Sequence, residues 1–105
     1  MSLVGEMQAW VDAQREALES AGVEIRSVRS PPGRPNPSYA LNLRIGVREA
    51  DFIVWDSGHG DLALSHNIEA EPALEHIANL LEPGRLEPLL DRMLAVLSGS
   101  DERIE

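Results

Sequence analysis

Hydrophobic residues near the start of the chain recur every three or four positions, which is the spacing of one face of a helix. They are Leu3, Met7, Trp10, Val11, Leu18 and Ala21. Charged residues such as Glu6, Asp12 and Glu16 fill the opposite side. Gly22 follows at the position where glycine commonly ends a helix. The pattern predicts an amphipathic helix over about residues 4–21, with Trp10 on its buried side.

The next part of the chain changes to the alternation of strands. Residues 23–29 predict a short strand, and residues 30–37 hold four prolines and predict a connecting loop. From residue 38 to 47, apolar side chains occupy every second position. They are Tyr39, Leu41, Leu43, Ile45 and Val47. Alternation of this kind predicts one buried and one solvated face, as in an antiparallel sheet.

Residues 51–66 predict a β-hairpin. Two apolar runs flank Asp-Ser-Gly-His-Gly-Asp, which is rich in turn-forming residues. The strand over residues 51–55 is apolar on both faces, so it is expected to be central or to have its outer face covered. The strand over residues 61–66 directs Leu62 and Leu64 inward.

The C-terminal part predicts two helices. Residues 67–71 connect to a first helix, with Pro72 in its first turn and Pro83-Gly84 at its end. Its apolar face is formed by Leu74, Ile77, Ala78 and Leu81. A leucine-rich second helix begins near residue 86 and ends at Gly99, and residues 99–105 are expected to fray.

Together the patterns predict an α+β fold in one domain over residues 1–105. The expected order is α-β-β-β-β-α-α. It places an N-terminal helix and two C-terminal helices around a single four-stranded antiparallel meander.

Charge is distributed unevenly along the chain. The net charge is −9, with six arginines against five acids in residues 1–48 and three arginines against thirteen acids in residues 49–105. This disfavours nucleic acid and anionic membranes as partners and favours a basic protein. Acidity for solubility alone is an equally good explanation. No apolar run reaches the roughly 20 residues that span a bilayer, and the absence of cysteine fits the cytoplasm.

Two kinds of chemistry have candidates in the hairpin. Asp56, His59, Asp61 and His66 are potential metal ligands, but they match no known metal-binding spacing. Ser57, His59 and Asp56 have the residue types of a hydrolytic triad, but they are neighbours on one tight turn, whereas triads usually draw on separate elements. Aspartate and glycine are also ordinary turn residues. We therefore expect no catalysis, metal or cofactor, and keep a metal site or small hydrolase at residues 56–61 as an alternative.

The direction of Trp55 separates two interpretations of the hairpin. If Phe52 and Val54 take the core, Trp55 faces outward and becomes an aromatic anchor for a partner. If a helix covers it, Trp55 is a core residue. The first interpretation predicts a protein-binding patch, whose residues are Asp51, Trp55, Asp56, His59 and Asp61.

A short motif in this hairpin resembles one family. A strand, Trp-Asp-Ser-Gly and a second strand, placed between an N-terminal amphipathic helix and leucine-rich C-terminal sequence, resemble the TriTu group of immunity proteins from bacterial polymorphic toxin systems. The residues that carry the resemblance are Ile53, Val54, Trp55, Asp56, Ser57 and Gly58, followed by Leu62 and Leu64. The layout covers roughly residues 35–98.

The resemblance implies a cytoplasmic, non-enzymatic protein that binds and neutralises a toxin without a cofactor. A basic toxin would suit its acidic half. The alternative from composition is a chaperone-like adaptor for a secreted effector, which would act as a homodimer.

Overall fold

The structure of the chain, a computed structural model, describes residues 2–66 and 71–99. Within them, helix α1 precedes five strands, and helix α2 follows. The elements are α1 (Leu3–Ser20), β1 (Glu24–Arg29), β2 (Ser38–Ile45), β3 (Arg48–Trp55), β4 (Gly60–Ser65), β5 (Ala73–Ile77) and α2 (Leu86–Ser98). The strands form one antiparallel meander in the order β1-β2-β3-β4-β5.

The strand register separates the sheet into a buried inner face and an outer face. Leu41 lies opposite Phe52, and Phe52 lies opposite Leu62, so the three share the inner face. All three are almost fully buried. Their chain neighbours Asn42 and Asp51 point to the outer face and keep contact with solvent. The alternating apolar side chains of residues 38–45 thus all lie on the buried face of the sheet.

Both helices pack on the inner face. Helix α1 lies over β1, β2 and β3, and α2 lies over β2, β3 and β4. The two helices contribute buried side chains to the same core as the strands: Leu3, Val4, Met7, Val11, Leu86, Leu89, Leu90, Met93, Val96 and Leu97. Burial of each large side chain contributes about 1.5–3 kcal/mol before the entropy of ordering is counted. Trp10 packs partly buried against this core, which agrees with its predicted place on the helix.

The prediction of two C-terminal helices is wrong, and so is the four-stranded sheet. Residues 73–77 form β5, an edge strand paired with β4, and α2 is the only helix that follows it among the described residues. Leu74 and Leu81 are spaced as on one helix face, but they do not form a buried face, because their side chains are 76% and 64% exposed. Backbone pairing with the free edge of β4 overrides the local helical preference.

Other parts of the sequence-based fold agree with the structure. The N-terminal helix is confirmed within about one residue at each end, as is the antiparallel arrangement of the predicted strands. Strand β3 begins at Arg48, three residues earlier than predicted, because Gly46 and Val47 alone make the turn. The predicted connection at residues 67–70 and the predicted frayed tail at residues 100–105 lie outside the described residues. Neither described helix is long and apolar enough to cross a membrane.

Candidate functional site

The outer face of the sheet is left open by the helices and forms a broad depression of about 680 Å³, which we call the outer groove. Its apolar floor is formed by Val28, Ala40, Ile53, Ala63 and Leu74. Polar side chains line the same groove: Arg26, Asn42, Asp51, Asp61 and His76. The groove therefore combines apolar surface with nearby polar groups, which is the usual composition of a recognition site.

The depression follows from the sizes of the residues that meet across the sheet. Ala40 lies between Val28 and Ile53 in one row, and Ala63 lies beside Leu74 in the next row. The small alanines leave space between larger neighbours. Val28 is 69% exposed and Leu74 is 76% exposed, although both are apolar. Val28 and Leu74 lie on the two edge strands, and the groove floor between them joins them into one apolar patch. Contiguous apolar patches mark interaction surfaces more often than single exposed side chains do.

Two carboxylates on β3 are held together at the rim of the groove. The side-chain amide of Asn42 donates one hydrogen bond of 2.7 Å to Glu49 and another of 2.6 Å to Asp51. Both acids lie on the outer face, two residues apart on the same strand. A single amide thus fixes two negative groups, whose remaining lone pairs are free to accept hydrogen bonds from a cationic partner.

The groove has a negative balance among its lining residues. Asp51, Asp61 and Glu75 contribute carboxylates, whereas Arg26 is the single arginine in the described lining. Glu75 pairs with Arg92 of α2 at 2.7 Å, so its charge is partly compensated at the edge of the sheet. Asp51 and Asp61 are the acids that remain oriented toward the groove.

A histidine pair occupies the β4–β5 side of the groove. The Nδ1 atom of His76 lies 2.6 Å from Oδ1 of Asp61, its cross-strand neighbour. On the other side of the ring, Nε2 of His76 lies 3.5 Å from Nδ1 of His59. The imidazole rings are 5.5 Å apart between centroids and are tilted by 35°. All three side chains are exposed.

Residues of the Trp-Asp-Ser-Gly turn form hydrogen bonds with other parts of the fold. The carboxylate of Asp56 accepts a hydrogen bond of 2.9 Å from the backbone N–H of Val4, in the first turn of α1. Ser57 exchanges two hydrogen bonds with Asn36 of the proline-rich loop, at 3.0 and 3.2 Å. Asp56 also donates its backbone N–H to the carbonyl of Pro37. The turn therefore fastens the start of α1 and the loop between β1 and β2.

The two glycines of the turn allow the segment before α2 to approach closely. Gly58 has a φ of 105°, and its carbonyl accepts a hydrogen bond of 2.8 Å from the backbone N–H of Leu80. A Cβ at this position would come within 3.0 Å of Leu81, and one at Gly60 would come within 2.7 Å of Leu80. An added Cβ at either position would force a neighbouring leucine to shift, and Gly58 is favoured also by its positive φ.

The structure places the five predicted contact residues in three different environments. Asp51 and Asp61 line the outer groove, and His59 contacts the groove residue His76. Trp55 faces outward opposite Ser38, half-buried and outside the groove lining. The carboxylate of Asp56 is hydrogen-bonded to the first turn of α1. That all five bind a partner stays a prediction.

Sequence reasoning missed the groove residues contributed by strand pairing, above all His76, Asn42 and Ala63. The alternation of β2 gave a signal for Asn42, since it placed this residue on the solvated face. Nothing in the local pattern indicated His76, because residues 72–82 were assigned to a helix.

The structure also bears on the hydrolytic triad and the metal site that the hairpin sequence suggests. Ser57 faces Asn36, while His59 faces His76, so Ser57 and His59 contact different side chains. Over residues 2–66 and 71–99, no three or more histidine, aspartate or glutamate side chains are grouped so as to hold a metal ion.

One comparison with known proteins gives a match. The family model described as "Immunity protein TriTu" matches residues 5–96 of the chain, and the resemblance inferred from the sequence is thereby confirmed. No curated protein and no solved structure matches the chain significantly.

Proposed function

The chain belongs to the TriTu family of immunity proteins, and we propose that it binds and neutralises a toxin protein through the outer groove. An immunity protein family suggests a non-enzymatic role. In this proposal the protein acts in the cytoplasm by occupying a surface of the toxin, and it requires neither a cofactor nor catalysis.

The observation that carries the proposal is that neither described helix covers the outer face of the sheet. Two helices pack on the inner face, whereas the opposite face has a depression of about 680 Å³ with an apolar floor. A space of this size accepts one or two large side chains of a partner. Burial of such anchors commonly supplies most of the affinity of an interface.

The charge around the groove indicates a basic partner. Asp51 and Glu49 are held in place by Asn42, and Asp61 is held by His76. Carboxylates with fixed positions are suited to arginine side chains, which bind them through two parallel hydrogen bonds. The excess of acids in the second half of the chain would also attract a basic protein at longer range.

Ala63→Arg is the sharpest test, because it fills the floor of the groove and adds a positive charge without touching the inner core. Ala13→Arg, at an exposed position of α1, is the matched control. The wild-type protein and both variants are co-expressed with the toxin encoded beside the gene, and growth and binding affinity are measured.

We expect Ala63→Arg to lose protection and to weaken binding at least 100-fold, while Ala13→Arg behaves as wild type. Circular dichroism must show that both variants are folded. Ala63→Leu separates shape from charge, since it fills the floor without adding a charge. Unchanged binding by a folded Ala63→Arg variant would show that the toxin binds elsewhere.

The same face also suits a second copy of the chain, which is the arrangement that the chaperone-like alternative requires. Val28 and Leu74 are the exposed apolar residues that would be covered in a homodimer. Light scattering decides between the two arrangements. If the wild-type chain is a dimer and Ala63→Arg is a monomer, the groove is the dimer interface. If the wild-type chain is a monomer, the homodimer is excluded and toxin binding is the remaining proposal for the groove.

A further inference from the structure

Two histidines from different elements are brought together beside the outer groove. His59 belongs to the turn between β3 and β4, and His76 belongs to β5. Their facing nitrogens, Nδ1 of His59 and Nε2 of His76, are 3.5 Å apart. Both side chains are exposed, so a metal ion can reach them from solvent.

The separation of these nitrogens fits two ligands of one tetrahedral metal ion. With metal–nitrogen bonds of about 2.0–2.1 Å and a tetrahedral angle, two imidazole nitrogens lie about 3.3–3.4 Å apart. Two adjacent ligands of an octahedral ion at the same bond length would lie about 2.9 Å apart. The observed distance is closer to the tetrahedral value.

Asp61 holds His76 in the orientation that such a site needs. Its carboxylate lies 2.6 Å from Nδ1 of His76 and can only accept a hydrogen bond, so this nitrogen keeps the proton and donates the hydrogen bond. In the neutral ring, Nε2 then carries the lone pair, and Nε2 is the nitrogen that faces His59. A carboxylate bonded to the far nitrogen of a metal-binding histidine is a recurrent arrangement in zinc sites.

We infer that His59 and His76 form a two-histidine site for Zn²⁺ or a similar divalent transition metal, with Asp61 as the residue that positions His76. The site does not depend on the proposed toxin binding. No third described acid or histidine joins the pair. Water therefore fills the remaining positions in the isolated protein, and the affinity is lower than that of a four-ligand structural site.

The test uses the untagged, metal-free full chain titrated with Zn²⁺ in a calorimeter and, separately, with Co²⁺ while visible absorption is recorded. We expect one saturable Zn²⁺ per chain and a Co²⁺ spectrum of the intense kind that tetrahedral coordination gives. His59→Ala and His76→Ala should each abolish saturable binding. His66→Ala is the matched control, because it removes the third histidine of the chain and should leave binding unchanged.

Asp61→Ala tests the positioning role separately. It should keep the stoichiometry of one ion per chain and weaken the affinity about 10–100-fold. Circular dichroism of every variant confirms that the fold is retained. An absence of saturable Zn²⁺ uptake by the wild-type chain would overturn the inference, as would uptake that survives His59→Ala in a folded protein.

Discussion

Replacement of Asp56 by alanine is expected to destabilise the protein through the start of α1, although Asp56 lies more than fifty residues away in sequence. The first backbone N–H groups of a helix have no partner within the helix. In α1, Ser2 accepts the hydrogen bond of Gly5, and Asp56 accepts that of Val4 at 2.9 Å. Loss of the Asp56 side chain leaves the N–H of Val4 without this partner.

The size of the effect follows from two contributions. Removal of a side-chain cap costs about 0.5–2 kcal/mol. Loss of a negative charge beside the positive end of the helix dipole costs about 0.3–1 kcal/mol at an exposed site, and somewhat more where the contact is partly buried. Because Asp56 is half-buried, we expect the free energy of unfolding to fall by about 1–2 kcal/mol, which lowers Tm by about 5–10 °C in a domain of this size.

Thermal and urea unfolding at pH 7, followed by circular dichroism, measure this loss. Asp56→Asn is the matched variant, since it keeps an oxygen that can accept the hydrogen bond and removes only the charge, so it should lose less than half as much stability. Ser57→Ala changes the next residue of the same turn, which is exposed, and should stay within about 0.5 kcal/mol of wild type. If Asp56→Ala unfolds at the same urea concentration as wild type, the capping explanation is wrong.

Two further substitutions test the packing around the hairpin. Gly60→Ala would place a Cβ 2.7 Å from Leu80 and 3.2 Å from the carbonyl oxygen of Ile53, so we expect a loss of about 1–3 kcal/mol in urea unfolding; a wild-type midpoint would show that Leu80 moves aside freely. Tyr39→Phe removes a buried hydroxyl that has no hydrogen-bond partner among the described residues. It should raise stability by about 1 kcal/mol, because an unsatisfied buried hydroxyl is unfavourable. A clear loss of stability in Tyr39→Phe would instead indicate a hydrogen bond to this hydroxyl.

The fold was predictable where local pattern and tertiary environment agree. Residues 3–20 repeat apolar side chains at helical spacing, and residues 38–45 alternate them, so α1 and β2 were found from the sequence. Residues 73–77 read Ala-Leu-Glu-His-Ile, which favours a helix, yet they form β5. The free edge of β4 supplies hydrogen bonds that a local pattern does not contain.

The candidate site was predictable to a smaller degree for the same reason. Asp51 and Asp61 were predicted as contact residues from the hairpin sequence, and both line the groove. The pairing of His76 with Asp61 depends on β5 and therefore required the structure. The direction of Trp55 depends on the register with Ser38, which two-sided apolar sequence leaves open.

The turn of the hairpin and the outward side chains of its strands have different surroundings, which separates their expected roles. The turn residues Asp56, Ser57 and Gly58 are engaged with α1, the proline-rich loop and the segment before α2. The outward residues Ile53 and Ala63, on the strands beside this turn, lie in the groove and outside the core of buried residues. We therefore expect changes at Asp56 or Gly58 to act on stability, and changes at the outward positions to act on binding of the proposed partner without altering the fold. Under the proposed function, substitutions at Ile53 and Ala63 should change which partner is bound, whereas Asp56→Ala should change only how much folded protein is available to bind it.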